Sequence, residues 1–348
     1  MIVKNEEEVL GRILSQMQPL VEEIIVVDTG SDDRTKEIAL EFTPLVYDFC
    51  WQDDFAAARN YAFSLGKMEY LMWLDADDIL TLEAQEKFLQ LKKTLNPNTD
   101  MVMMPYHTAF DEKGSPTFRY YRERMVKNGK GFLWEGEVHE AIVPRGEILY
   151  AEVPITHKKE KVADPDRNLR IFEGLIAKGK TLSPRHQFYY ARECFYHGQY
   201  EKAAQLLEGF LNNDEGWIEN KIEAVRQLSQ CYFYLKDDYK RLHTLFRSFA
   251  FAPPRAEICC DIGSYFIEKK AFRQSIFWYT LATTRPKEEK NGGFVLPEYY
   301  DIIPYLQLCV CYDRLGEKET ARKYHALVGS INDQHPSYLQ NEKYFQQK

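Results

Sequence analysis

Apolar positions in the first 105 residues switch between two periods. Glu6–Met17 sets Val9, Ile13, Leu14 and Met17 on one helical face. Glu23–Val27 is a continuous β-branched run of the type buried in parallel sheets, and Asp28-Thr29-Gly30-Ser31-Asp32 breaks it. The pattern then predicts a helix over Arg34–Phe42, a strand over Leu45–Phe49 and a helix over Asp54–Leu65. A strand over Tyr70–Leu74, a helix over Leu82–Leu95 and a strand over Met101–Pro105 follow. Strands alternating with helices imply a parallel sheet covered on both faces, with ligands collecting at the carboxyl ends of the strands. Asp28 and Asp75 both stand at such ends. The opening strand, Met1–Val3, is a stub: either the sheet tolerates it or the chain starts upstream.

Beyond about residue 167 strand signals fade and helical periodicity takes over. A phrase recurs at Gly198–Ala203, Asp237–Leu242, Lys270–Ser275 and Gly316–Ala321, at intervals of 39, 33 and 46 residues. Tetratricopeptide repeats, which this pattern resembles in degenerate form, have a period of about 34 residues. Setting Ala203, Ser275 and Ala321 in register puts the small residues Ala191, Gly263 and Cys309 twelve positions upstream, where paired helices approach closely. The phrase is poorest in its second copy, and the last interval carries an insertion, Lys287–Pro297. The expected division is an α/β region over 1–165 and an all-α repeat region over 166–348. The array either presents a peptide groove or is a helical stack without one.

Composition narrows the classes. A length of 348 residues suits two domains. Forty-five Lys and Arg against 53 Asp and Glu leave a net charge of −8, unsuited to non-specific binding of nucleic acid or anionic membrane. No run reaches the roughly 18 apolar residues of a membrane span. Met1-Ile2-Val3 runs directly into Lys4-Asn5-Glu6-Glu7-Glu8, unlike an export signal. Seven cysteines without CxxC spacing read as small buried hydrophobes in a reducing compartment. The expected location is cytoplasmic.

Five constellations carry candidate chemistry. Asp28–Thr35 places a carboxylate at a strand end, able to accept from a ribose or a base N–H; Ser31 or Asp32 capping the next helix is the alternative. Leu74-Asp75-Ala76-Asp77-Asp78 sets carboxylates two apart after a buried strand, costly without a neutralising charge. A divalent cation holding a pyrophosphate supplies that charge; a polar loop before the helix cap Thr81 is the alternative. Asp53–Asn60 carries Arg59, suited to phosphate or to a carboxylate loop, or to a surface ion pair. Trp134-Glu135-Gly136-Glu137-Val138-His139-Glu140 offers a base or ligand at His139 and Glu140. Val153–Lys159 ends an apolar strand in His157 with a cationic tail, Lys158-Lys159, suited to a pyrophosphate; a structural histidine is the alternative.

Together these residues resemble family 2 glycosyltransferases of the GT-A fold joined to a C-terminal tetratricopeptide region. Sublancin-type peptide S-glycosyltransferases and related bacterial enzymes share that combination. The resemblance rests on Val3-Lys4-Asn5-Glu6, Asp28-x-Gly30-Ser31-x-Asp33-x-Thr35, Asp54-Phe55-x-x-Ala58-Arg59-Asn60, Leu74-Asp75-Ala76-Asp77, Trp134-x-Gly136-x-Val138-His139-Glu140 and Ile155-x-His157. It implies a Rossmann-like α/β GT-A domain with a mostly parallel sheet, followed by the repeats. It implies that Asn5 and Glu6 lie beside the nucleoside, that Asp28 binds the base and that Arg59 supports the nucleotide site. Asp75 would contact the donor ribose or sugar, with Ala76, Trp134 and Lys158 in the donor site, and Asp77 and His157 would ligate Mn2+ or Mg2+. Glu140, preferred over His139, would activate the acceptor for a single inverting displacement. The implied donor is a nucleotide-diphosphate sugar, a UDP-sugar by family frequency. The implied acceptor is a peptide or protein held with help of the repeats, or a cell-surface saccharide or lipid-linked acceptor. A homodimer through the repeats is a further expectation. A non-catalytic repeat scaffold with a decayed transferase domain is the alternative class, and the presence of Asp28, Asp75, Asp77, Glu140 and His157 argues against it.

Overall fold

The computed structural model describes residues 1–110, 114, 116–160, 164–288, 290 and 292–347; Glu289 and Asn291 of the expected insertion lie outside these. The described residues form two compact units, Met1–Leu182 and Ser183–Lys348.

The first unit opens β1 (Ile2–Val3), α1 (Leu10–Met17), β2 (Val26–Asp28), α2 (Thr35–Phe42), β3 (Val46–Asp48), α3 (Phe55–Leu65) and β4 (Tyr70–Met72). It continues through β5 (Asp78–Ile79), α4 (Leu82–Thr94), β6 (Met101–Phe110), β7 (Pro116–Lys127), β8 (Trp134–Glu135) and β9 (Ala141–Ile142). β10 (Ile148–Tyr150), β11 (Ile155–His157) and α5 (Arg167–Ala177) complete it. β1, β2 and β3 make a parallel sheet. A second sheet runs β4-β7-β6-β11-β5, with β10 on β6. β10 and β11 lie parallel to β6, whereas β4–β7, β6–β7 and β5–β11 are antiparallel.

The amphipathic helices behave as their periodicity predicts: α1 buries Leu10, Ile13, Leu14 and Met17, and α4 buries Ala84, Phe88 and Leu91. α1 starts at Leu10 rather than Glu6, because Asn5 is left-handed (φ 54°) and the N–H of Glu6 is taken by Thr35 Oγ1. At the amino ends of β1 and β4 lies a pocket of about 450 Å³, lined by Met1, Ile25, Tyr70, Met72 and Phe88 among others. It sits away from the carboxyl ends where Asp28 and Asp75 stand.

The boundary falls after Leu182 rather than at 165/166. The physical reason is α5: its first residue, Arg167, places its guanidinium 4.8 Å from the ring of Phe55 at the start of α3.

The second unit is all helical and tetratricopeptide-like. It pairs α6 (Pro184–Tyr196) with α7 (Tyr200–Leu211), α8 (Ile218–Tyr234) with α9 (Asp238–Arg247), and α10 (Ala256–Glu268) with α11 (Phe272–Ala282). α12 (Ile302–Arg314) pairs with α13 (Lys318–Ile331), and α14 (Pro336–Gln346) closes the array. Each pair turns on one left-handed residue: Gly198, Lys236, Lys270 and Gly316. These lie 38, 34 and 46 residues apart, so the second copy of the phrase starts at Lys236, one residue before the expected Asp237. In that register Ser229 joins Ala191, Gly263 and Cys309 as the buried small residue of the first helix. The spacing is tight: a Cβ on Gly263 would lie 2.7 Å from the Tyr279 ring. Among the described residues no helix is long and apolar enough to cross a membrane. Six of the seven cysteines are buried, Cys50 being exposed.

Candidate active site

Polar side chains gather in three clusters at the carboxyl ends of the first unit's strands. The first interlocks the loops after β1 and β2. Asp28 closes β2 opposite Val3, and its Oδ2 accepts the N–H groups of Gly30 (3.0 Å) and Ser31 (2.9 Å). Gly30, at φ 101°, lets the chain double back. Ser31 Oγ accepts the N–H of Asn5 at 2.9 Å, and Asn5 Oδ1 accepts that of Asp32 at 2.9 Å. Neither Ser31 nor Asp32 therefore caps α2; Asp33 Oδ1 instead accepts from the N–H and hydroxyl of Thr35. Asp28 is 2% exposed, and its Oδ1 is a buried acceptor with no donor. Such an atom is costly unless a ligand supplies a donor.

The second cluster centres on Arg59. Asp54 caps α3 by accepting the N–H of Ala57 at 2.8 Å. Asn60 brackets Trp134, accepting its N–H (2.8 Å) and donating to its carbonyl (3.0 Å). Arg59 is thereby held 4.9 Å from the Trp73 ring and 4.8 Å from the Trp134 ring. Its Nε donates to Glu140 Oε1 at 2.6 Å and its Nη2 to Asp75 Oδ1 at 2.8 Å. Burial opposes the Arg59 charge, but Asp75 and Glu140 outweigh it and hold the guanidinium above its usual range. Burial likewise pushes the Asp75 carboxyl up, and Arg59, Arg124 and Arg122 overcome that, holding it at about 2.

The third cluster joins the second through Asp75. Asp75 N–H donates to Asp78 Oδ2 (3.0 Å), and Asp78 N–H donates to the Asp75 carbonyl (3.1 Å). Asp78 is fully buried and takes further bonds from Arg124 Nη1 (3.0 Å) and the Tyr106 hydroxyl (2.9 Å). β11 pairs with β5 so that His157 faces Asp78. His157 Nδ1 lies 3.4 Å from Asp77 Oδ1 and 3.9 Å from Asp78 Oδ1. The Asp77 carboxylate raises the His157 pKa against the effect of burial. One ligand atom from each of Asp77, Asp78 and His157 falls within 4.8 Å of the others. Two carboxylates and an imidazole nitrogen form a donor set that Mn2+ or Mg2+ accepts.

The remaining expected residues take other places. Ala76 is buried, and Trp134 is 3% exposed, edge-on to Trp73 and Phe63, so it supports Arg59 from the core. Lys158 gives its N–H to the Asp77 carbonyl at 3.0 Å, while its ammonium pairs with Glu160. His139 is left-handed (φ 54°) and turns the chain into Glu140. Asp78, Tyr106, Arg122 and Arg124 went unread as site residues. The run Arg119–Lys127 alternates poorly, so β7, which carries Arg122 and Arg124, left no strand signal.

Residues 1–143 match the model for glycosyl transferase family 2. The SPbeta prophage-derived glycosyltransferase SunS of Bacillus subtilis is 24% identical over 225 residues, 61% of this chain and 52% of its own length. A TPR repeat-containing protein of Synechococcus elongatus is 46% identical over 84 residues, 24% of this chain and 21% of its own. The chain thus spans about half or less of the length of these relatives. A solved structure of MamA covers 49% of this chain and 84% of its own at 17% identity, with a TM-score of 0.38. Residues 1–143 are thus similar to family 2 glycosyltransferases, and a tetratricopeptide-like helical unit follows them.

Proposed function

We propose that the protein transfers a sugar from a nucleotide-diphosphate donor, a UDP-sugar by preference, to an acceptor nucleophile with inversion at the sugar carbon. The observation that carries this reading is the double role of Asp75. Its side chain meets the Arg59–Glu140 pair, and its backbone locks the Asp77–Asp78–His157 donor set. The Glu140 carboxylate and the candidate cation site are therefore tied together through Arg59 and one residue, Asp75.

Each group has an assigned part. Asp28 Oδ1, bare and buried, accepts from the donor's base, with Asn5 and Glu6 shaping the loop beside it. Asp77 and His157 hold Mn2+ or Mg2+, with Asp78 completing the set. The cation, when bound, supplies positive charge to the diphosphate leaving group. Arg59 orients Glu140 through its Nε. Glu140 takes the acceptor's proton as the acceptor atom bonds to the sugar carbon and the carbon–diphosphate bond breaks. The helical unit favours a polypeptide acceptor, since such arrays bind extended chains along neighbouring repeats.

Calorimetric titration of the full chain with UDP, GDP, CDP and dTDP, each with and without Mn2+, tests this reading. One nucleotide should bind tightly and only with the metal. Binding of none of the four would sink the transferase assignment and favour a repeat scaffold.

A further inference from the structure

The insertion between α11 and α12 is built into the repeat unit. Its residues Gly292–Tyr300 lie along the first helices of three successive pairs. The Phe294 ring sits 6.1 Å from that of Phe188, with the Arg192 guanidinium 4.8 Å from its centroid, both on α6. Gly293 passes so close to α8 that a Cβ there would collide with the Glu219 carboxylate. The N–H of Leu296 donates to Glu257 Oε1 on α10 at 2.8 Å, and the Tyr300 hydroxyl donates to Oε2 at 3.1 Å. Arg226 on α8 lies 5.2 Å from the Tyr299 ring.

The surface beneath this strap is unlike a repeat core. Glu219, Arg226 and Glu257 are each 6% exposed or less. Glu219 pairs with Arg255 at 2.6 Å, and Arg226 with Asp261 at 2.8 Å. Buried charges cost several kcal/mol each unless paired and hydrogen-bonded, so a face that only had to pack would be apolar. Glu257 finds its donors in a main-chain N–H and a hydroxyl of the strap. That is recognition of extended backbone by a side chain, and aromatic contacts at Phe294 and Tyr299 fix its register.

We propose that the face made by α6, α8 and α10 is a docking site for an extended polypeptide of a partner protein, and that Gly292–Tyr300 is its resident internal ligand. The partner segment carries the order aromatic, aliphatic, aliphatic, proline seen in Phe294-Val295-Leu296-Pro297, and it binds by displacing the strap. This rests on the repeat unit alone and holds whether or not the first unit transfers sugar.

A labelled peptide copying residues 292–300 is titrated into the full chain and into the full-chain Phe294→Ala/Val295→Asp variant, read by fluorescence anisotropy. A strap that leaves the face open about 1% of the time weakens apparent affinity about 100-fold, so the variant should bind that much tighter. A folded variant that takes up no peptide, or native protein that binds equally well, overturns the proposal. So does a variant that self-associates instead, which would make a second copy the occupant. Should the variant fail to fold, hydrogen exchange of the Leu296 amide in the native protein decides. Excess peptide should speed it, and an unchanged rate rejects displacement.

Discussion

Arg59 Nε donates to Glu140 Oε1 at 2.6 Å while the same guanidinium reaches Asp75 at 2.8 Å. One buried cation thus binds one oxygen of each of two carboxylates. The proposed base is oriented by a fork that a lysine, a point charge on a flexible stem, would not reproduce.

Glu140→Gln should lower sugar transfer by about 10²–10⁴-fold, the usual range for a general base, with donor affinity intact. Steady-state rates and calorimetry on the same preparation separate the two quantities. A parallel loss of donor affinity would give Glu140 a structural part instead of a proton-accepting one.

Asp77→Ala should abolish saturable Mn2+ binding, read by electron paramagnetic resonance of the free ion. Tyr106→Phe removes the hydroxyl that orients Asp78 at 2.9 Å and should weaken Mn2+ by about 10–100-fold, as lost support of a ligand does. Undiminished Mn2+ affinity in Asp77→Ala would take that residue out of the ligand set.

Arg124 is fully buried, 3.8 Å from the Trp73 ring and 4.2 Å from that of Tyr106, and is ion-paired to the equally buried Asp78. Arg124→Met leaves Asp78 uncompensated and should cost about 3–5 kcal/mol in urea unfolding. Adding Asp78→Asn should return part of that loss. Strict additivity of the two changes would show that the pair is not coupled.

Glu257 tests the repeat unit by pH. Burial pushes its carboxyl up by more than the Leu296 N–H and the Arg226 charge pull it down. The folded state therefore holds its proton to higher pH than the unfolded chain does, and wild-type stability drains away as pH rises between those two values. Glu257→Gln should gain on the wild type across that window and show no advantage below it. Thermal melts from acid to neutral pH would reveal a flat difference if Glu257 were ordinary.

What the sequence disclosed followed physical visibility. The Glu23–Val27 run and the face Val9, Ile13, Leu14, Met17 are local periodic signals; β2 keeps Val26 and Val27 of the first, and α1 keeps Ile13, Leu14 and Met17 of the second. Asp77 and His157 stand out in the sequence by a motif and a strand end, and the structure brings them close together. Asp78 went unread because burial with Arg124 is a long-range event, 46 residues apart in the chain. β7 stayed hidden because its charged residues are neutralised within the fold: Arg124 by the distant Asp78, and Glu123 by its neighbour Arg122. In the helical unit the left-handed turn of the second pair falls at Lys236, one residue before the expected Asp237, with no glycine there to mark it as at Gly198 and Gly316.

The placement of α5 bears on recombination. A chimera joined at residue 165 would strip Arg167 from Phe55, loosening the start of the helix that carries Arg59. A graft joined between Leu182 and Ser183 would carry that brace along. Shuffled arrays spliced at the later point should preserve the first unit, and those spliced at the earlier one should weaken it without touching any residue proposed to meet the donor.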